Sequence, residues 1–226
     1  MEELSDLEKR AENNHKIAEQ EKSLAEDLKK AVKQELERAK AREALAKKDL
    51  DLAKTKEELS EKTRKYIMDK QEVQEILKFS EAGLKIEFDR AKYLERIAEV
   101  QIEIAEIHKK IAKIEREIAE LNYEQVEEKA NLAKERNKLS KAQYKYIDAK
   151  RKFVPDEKVN DLKEDISKQE KKLDKINKKI IAKTNEISKE EIKISNLKKQ
   201  LSEKLSEIEK IKPPIDEKFS NYNEIE

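Results

Sequence analysis

The chain has 226 residues with one glycine, three prolines, no cysteine and no tryptophan; 46% of it is charged, 36% hydrophobic and 4% aromatic. A globular domain carries about 7% Gly and about 25% charged residues, so composition argues against an ordinary compact enzyme, and the scarcity of turn residues argues against a sheet. With 53 basic against 52 acidic side chains, net +1, no global charge points to nucleic acid or membrane, and without cysteine there is no disulfide framework or thiolate metal site.

The first sixteen residues, MEELSDLEKRAENNHK, are acidic and hold no apolar core, so they do not read as a signal peptide. No apolar run approaches the ~20 residues of a membrane span. These features fit a cytoplasmic chain starting at Met1; a periplasmic or envelope chain whose leader has been removed is the alternative.

Helix punctuation divides the chain into three segments of similar length. The first helix is expected over about 3–82, ending at Phe79-Ser80-Glu81-Ala82 before Gly83, the only glycine. A left-handed Gly83 at C′ puts Phe79 and Leu84 at the two positions whose apolar contact accompanies a Schellman stop. A glycine tolerated inside a continuous helix, at about 1 kcal/mol against Ala, is the alternative. The second helix is expected over about 86–153. Val154 before Pro155 disfavours helix, and Pro155 followed by Asp156 and Glu157 suits a new first turn. The third helix, about 156–211, ends before Pro213-Pro214 and leaves a polar tail over 213–226. Three such lengths fit an up-down-up antiparallel bundle, a single elongated coiled coil over 1–212 with arms of roughly 100 Å. A parallel pair of unbroken helices is the competing architecture.

Heptads mark the seams. In the first segment Ile17, Leu24, Ala31, Leu45, Leu52, Leu59, Tyr66 and Val73 run beside a small-residue row, Ala18, Ala25, Val32, Ala39, Ala46 and Ala53, with Arg38 interrupting the larger one. The second segment carries an a row through Ile97, Ile104, Ile111, Ile118, Gln125, Leu132, Leu139, Tyr146 and Phe153. Its d row begins Val100, Ile107, Ile114, and a b row of Ala98, Ala105, Ala112, Ala119, Val126 and Ala133 lies alongside. An apolar b row is of no use to a two-stranded coil and implies a helix with two neighbours. The first segment's double stripe carries the same implication, and its Ala row, contributing little burial, marks the least tightly held arm. In the third segment Val159, Ile166, Leu173, Ile180, Ile187, Ile194, Leu201 and Ile208 recur without a miss, while half of the d positions are polar, among them Gln169, Lys183, Glu190 and Lys204. Folding back at Pro155 brings Lys183 to the level of Gln125 and Glu128, a lysine facing a glutamate. The acidic residues 1–28 likewise come beside the basic residues 141–183, which fixes register more than it adds stability.

Residues 91–121, AKYLERIAEVQIEIAEIHKKIAKIEREIAEL, are similar to helical hairpins of bacterial envelope proteins, and the whole chain resembles long antiparallel coiled-coil scaffolds. That resemblance implies an all-α structural protein and transfers no functional residue.

Catalysis is not expected. HExxH, GxGxxG, Walker and nucleophile-elbow patterns are missing, and His15 and His108 do not form the paired Glu-x-x-His of a di-metal bundle. No cofactor and no metal site is expected. The best ligand-like feature is the basic, aromatic-interleaved turn region: Tyr144, Lys145, Lys150, Arg151 and Lys152, with Lys171 and Lys172 across the turn. The reading is a non-enzymatic scaffold, spacer or assembly subunit that contacts protein partners or itself. Its working surfaces would be the ends near Gly83 and Pro155 and any unpaired Ala stripe. A helical-arm chaperone or adhesin clamping a protein, and a nucleic-acid binder using 141–183, are the alternatives.

Overall fold

The computed structural model describes residues 2–77 and 81–212, with the backbone alone for residues 2, 3, 71–77 and 81–87. It is all-α. Three helices follow one another: α1 (Glu2–Leu77), α2 (Glu81–Arg151) and α3 (Asp156–Lys210). They contribute to two compact units, one of Met1–Ala39 with Glu115–Ile192 and one of Lys40–Ile114 with Lys193–Glu226.

In the first unit α1 runs antiparallel to α2. Residue numbers fall along α2 as they rise along α1: Glu8 meets Arg151, Asn14 meets Gln143, Glu21 meets Arg136 and Lys29 meets Glu127. α3 returns antiparallel to α2, with Lys179 on Glu128, Lys183 on Glu124, and the Gln125 amide donating to the Thr184 hydroxyl at 2.7 Å. The expected meeting of Lys183 with the polar gap in α2 is therefore present, one turn displaced: Glu124 takes Lys183 and Glu128 takes Lys179. The second unit keeps the same senses, with Arg64 of α1 on Glu95 of α2 at 3.2 Å and Lys204 of α3 on Glu103 of α2 at 2.5 Å. Antiparallel pairing rules out the unbroken parallel rod.

The two faces of α2 have different jobs. Its b row is buried throughout (Ala98, Ala105, Ala112, Ala119, Val126, Ala133) and faces α1. In the second unit Ala105 packs with Ile102 against Leu50 and Ala53. In the first, Ser140, 1% exposed, continues that row and donates to the Ala11 carbonyl of α1 at 2.8 Å. Small side chains on both helices let the axes approach and bring backbone atoms into dispersion contact. The a and d rows of α2 face α3: Ile111 is buried, and Ile97, Ile104 and Ile118 are half-buried. On α3 the seam follows the heptad, with Val159 buried and Ile166, Ile180, Ile187 and Ile194 half-buried along with the polar d residues Gln169, Lys183, Glu190 and Lys204.

Two expectations are corrected. Gly83 is not a left-handed stop. It lies in the first turn of α2, and no glycine among the described residues has positive φ. The Ser80-Glu81 pair is itself a helix-start signal in the sequence, and in a first turn, where the N–H groups have no i−4 carbonyl within the helix to donate to, a glycine costs less than in a helix interior. The α1–α2 connection, and Phe79 with it, falls on residues 78–80, outside the described residues, as does the tail 213–226. Second, α1 is not buried through both stripes. Ala11, Ala18, Ala25, Ala39, Ala46 and Ala53 are 0–8% exposed, whereas Leu24, Leu45, Leu52, Leu59 and Tyr66 are 55–65% exposed. The Ala stripe, offered as a working surface only if unpaired, is the one that is paired. The small row wins because it matches the small b row of α2.

Stability should therefore follow the stripe and not residue size. Ala46→Leu, which overpacks the seam, is expected to cost about 1–3 kcal/mol, whereas Leu24→Ala is expected to stay within about 0.5 kcal/mol. Chemical denaturation of the two variants checks this, and the opposite order would contradict the packing described.

Candidate functional site

The turn between α2 and α3, in the first unit, holds most of the residues singled out from sequence. α2 ends in a complete Schellman motif: the Val154 N–H donates to the Ala149 carbonyl at 3.1 Å and the Phe153 N–H to the Lys150 carbonyl at 3.4 Å. The left-handed residue at C′ is Phe153, φ 53°, and it is 94% exposed. Reading Phe153 as the last core residue of the a row is thus corrected. Pro155 supplies the cause. It excludes helix at Val154, so the chain must leave the helix just before, and the left-handed position falls on 153 whatever side chain stands there. Asp156 and Glu157 then open α3, and the Val159 N–H donates to the Pro155 carbonyl at 3.3 Å.

Two of the cations around this turn are committed. Arg151 makes a two-pronged pair with Glu8 of α1, at 2.6 and 3.2 Å, and Lys152 pairs with Asp148 at 2.7 Å. Lys145 and Lys150 are exposed, and Tyr144 is 38% exposed. Lys171 and Lys172 are also exposed, but on α3 they lie sixteen or more residues beyond Pro155, about 24 Å along the helix. The structure brings Tyr144, Lys145, Lys150, Arg151 and Lys152 to one helix end and leaves the other two lysines away from it. The candidate phosphate-gripping region is a dispersed set of cations with acidic partners among them.

Further along, ion pairs between α3 and α2 stand where the third heptad is polar. In the second unit Lys204, a d residue, lies 2.5 Å from Glu103 and 2.9 Å from Glu207. Hydrogen bonds to Glu103 and then Glu207 hold its ammonium well above the usual lysine range, and the hydrogen bond from Lys204 holds the Glu207 carboxyl below its ordinary value. In the first unit the Lys29–Glu127 hydrogen bond, at 2.9 Å, raises the lysine and lowers the carboxylate in the same way. Of the histidines, His15 lies 3.4 Å from Glu19 one turn away, and His108 is exposed. No group of three or more His, Cys, Asp or Glu among the described residues could hold a metal ion, and no helix of the described residues is long and apolar enough to cross a membrane.

The feature that sequence reading misplaced is the large-residue row of α1. In the second unit Leu45, Leu52, Leu59 and Tyr66 stand 59, 55, 65 and 59% exposed at strict heptad spacing. In the first unit Leu24, with Leu28, Leu132 and Ile180, lines an apolar cleft of about 300 Å³. The signal was present in the α1 double stripe. Which of its rows faces α2 depends on the partner helix. A scan against protein-family models finds no match to this chain, and a search of curated proteins likewise finds none.

Two consequences can be measured. Phe153→Gly relieves a left-handed aromatic residue, so it should stabilise the chain by about 1 kcal/mol, raising the melting midpoint by about 2–4 °C for a chain this long; an unchanged or lower midpoint would contradict the strain. The contribution of Glu207, with its lowered folded pKa, is present above its ordinary 4.5 and lost as pH falls through the folded value, while that of Lys204 is complete below 10.5 and lost as pH rises through its raised value. Melting midpoints of wild type should thus fall at both extremes of pH, and Lys204→Met should flatten the alkaline limb. An unaltered alkaline limb would remove Lys204 from the account.

Proposed function

We propose that the chain is a non-enzymatic helical scaffold that works through protein–protein contacts made along α1. The observation that carries this reading is the exposed row Leu45, Leu52, Leu59 and Tyr66. Large apolar side chains left more than half exposed in a regular row mark a candidate interaction surface. A heptad row is the form in which one helix offers itself to another. The charged helix faces and the dispersed cations of the α2–α3 turn, two of them paired with carboxylates, support contact with protein over nucleic acid.

A clamp that holds a protein segment is a second reading. The apolar cleft between Leu24, Leu28, Leu132 and Ile180 favours it. Limited proteolysis separates the two: a clamp without its client loses residues 1–80 readily, and a finished scaffold protects them.

A photo-crosslinking residue at position 52 of the full chain tests the contact reading, with the exposed α3 position 178 as control. The expected result is a covalent protein adduct from position 52 and none from position 178. Adducts from neither position would contradict the reading.

A further inference from the structure

We propose that the segment after α3, residues 215–225, occupies the cleft past the end of that helix and continues its seam along the first turns of α2. The proposal is independent of the α1 contact reading. In the second unit α3 stops at Lys210, and the Ile211 N–H donates to the Ile208 carbonyl at 3.1 Å. With Lys204 on Glu103, Lys210 comes level with Ile97, so about 24 Å of α2, back to Glu81, stands beyond α3. A cleft of about 630 Å³ lies there. Asp89, Tyr93 and Arg96 line it from α2, and Lys210, Ile211 and Lys212 from the end of α3.

Periodicity names the occupant. The a row of α3 through Ile194, Leu201 and Ile208 goes on without a change of phase to Ile215 and Tyr222, with Lys218 and Ile225 at d. Pro213 and Pro214 fall at f and g, outside the a and d rows. Pro214 ahead of Asp216 and Glu217 resembles the pattern that opens α3, Pro155 ahead of Asp156 and Glu157. This segment also starts at the rim of the cleft, next to Lys212, so its local concentration there exceeds that of any separate molecule.

Charge sets the register. At d positions Lys183 reaches Glu124 in the first unit and Lys204 reaches Glu103 in the second, each carboxylate standing just ahead of an α2 a residue. Fourteen residues on from Lys204, and fourteen back from Glu103, stand Lys218 and Asp89, the same heptad positions with the same charges. Asp89 is exposed and has no partner among the described side chains. Arg90 shares the level of Lys218 and is already engaged. Phe219 falls beside it, at the e position from which Thr184 accepts the Gln125 amide, so a ring meets the guanidinium. Ile215 comes to the level of the half-buried Tyr93.

The chain has no cysteine, so introduced ones report position. In the full chain, Lys218→Cys with Asp89→Cys is expected to form a disulfide within one molecule on mild oxidation. Lys218→Cys with Lys109→Cys should form none, since position 109 is exposed but about 30 Å from position 89 along α2. In a chain whose single cysteine is Asp89→Cys, maleimide labelling should quicken at least about tenfold when Ile215→Asp and Tyr222→Asp are added, with helical circular dichroism retained. Should that variant lose helix, the disulfide comparison decides. Linkage of position 218 to 109 as readily as to 89, linkage between two chains instead of within one, or labelling indifferent to the changes at 215 and 222 would overturn the proposal.

Discussion

The constraint on which the remaining features depend is that α2 serves two partners with two different faces. Its alanine row accepts a close helix and its isoleucine rows accept an interdigitating one. A helix of ordinary amphipathicity has one apolar stripe and one neighbour. Giving α2 a second stripe of small residues lets α1 dock without competing for the Ile positions that hold α3. The two seams have different energetics. On the α3 side, branched side chains contribute apolar burial, of which half-buried residues realise only part. On the α1 side each alanine buries little area, and the seam draws on close backbone approach and on a few polar contacts, such as Ser140 on Ala11 and Asn14 on Gln143.

That choice has a consequence for α1. Because its small stripe is the one consumed, its large stripe is left facing outward. A chain that needed only to bury hydrophobic surface would have presented the leucines to α2 and left the alanines in water, where they cost nothing. The observed arrangement does the reverse, and this inversion is what turns a helical bundle into a candidate contact surface. The same logic applies to the α2–α3 turn. Proline punctuation imposes a left-handed residue, and the sequence places a phenylalanine there, exposed and strained, where a glycine would be free of strain. Left-handed non-glycine residues are retained when the surrounding structure over-determines them, and here Pro155 and two Schellman hydrogen bonds do so.

Much of this was legible from residues alone, and the division is physical. The α3 register was readable because a one-seam coiled coil has only one possible buried row, so periodicity identifies it outright: Val159 to Ile208 lie where the heptad puts them, polar d residues included. The stop at Pro155 was readable because proline acts locally. The α2 double role was readable from its three adjacent apolar rows. What failed were choices between two locally acceptable options. Gly83 could end one helix or sit in the first turn of the next, and the local sequence satisfies both. Phe153 continued a heptad row on paper, yet backbone geometry overrode periodicity within two residues of the proline. On α1, two stripes competed, and the winner depended on the complementary alanines of α2, a tertiary fact that a single-helix reading does not contain.

The account stands on the inversion of the α1 stripes, and neighbouring positions in the first unit test it most directly. Single cysteines at Leu24 and Ala25, introduced one at a time into the cysteine-free chain, would be labelled with a bulky maleimide under native conditions. The account predicts rapid modification at 24 and protection at 25, with both reacting alike once the chain is unfolded. Protection at 24 with free reaction at 25 would mean that the leucines face α2, and the two-faced role assigned to that helix would be wrong.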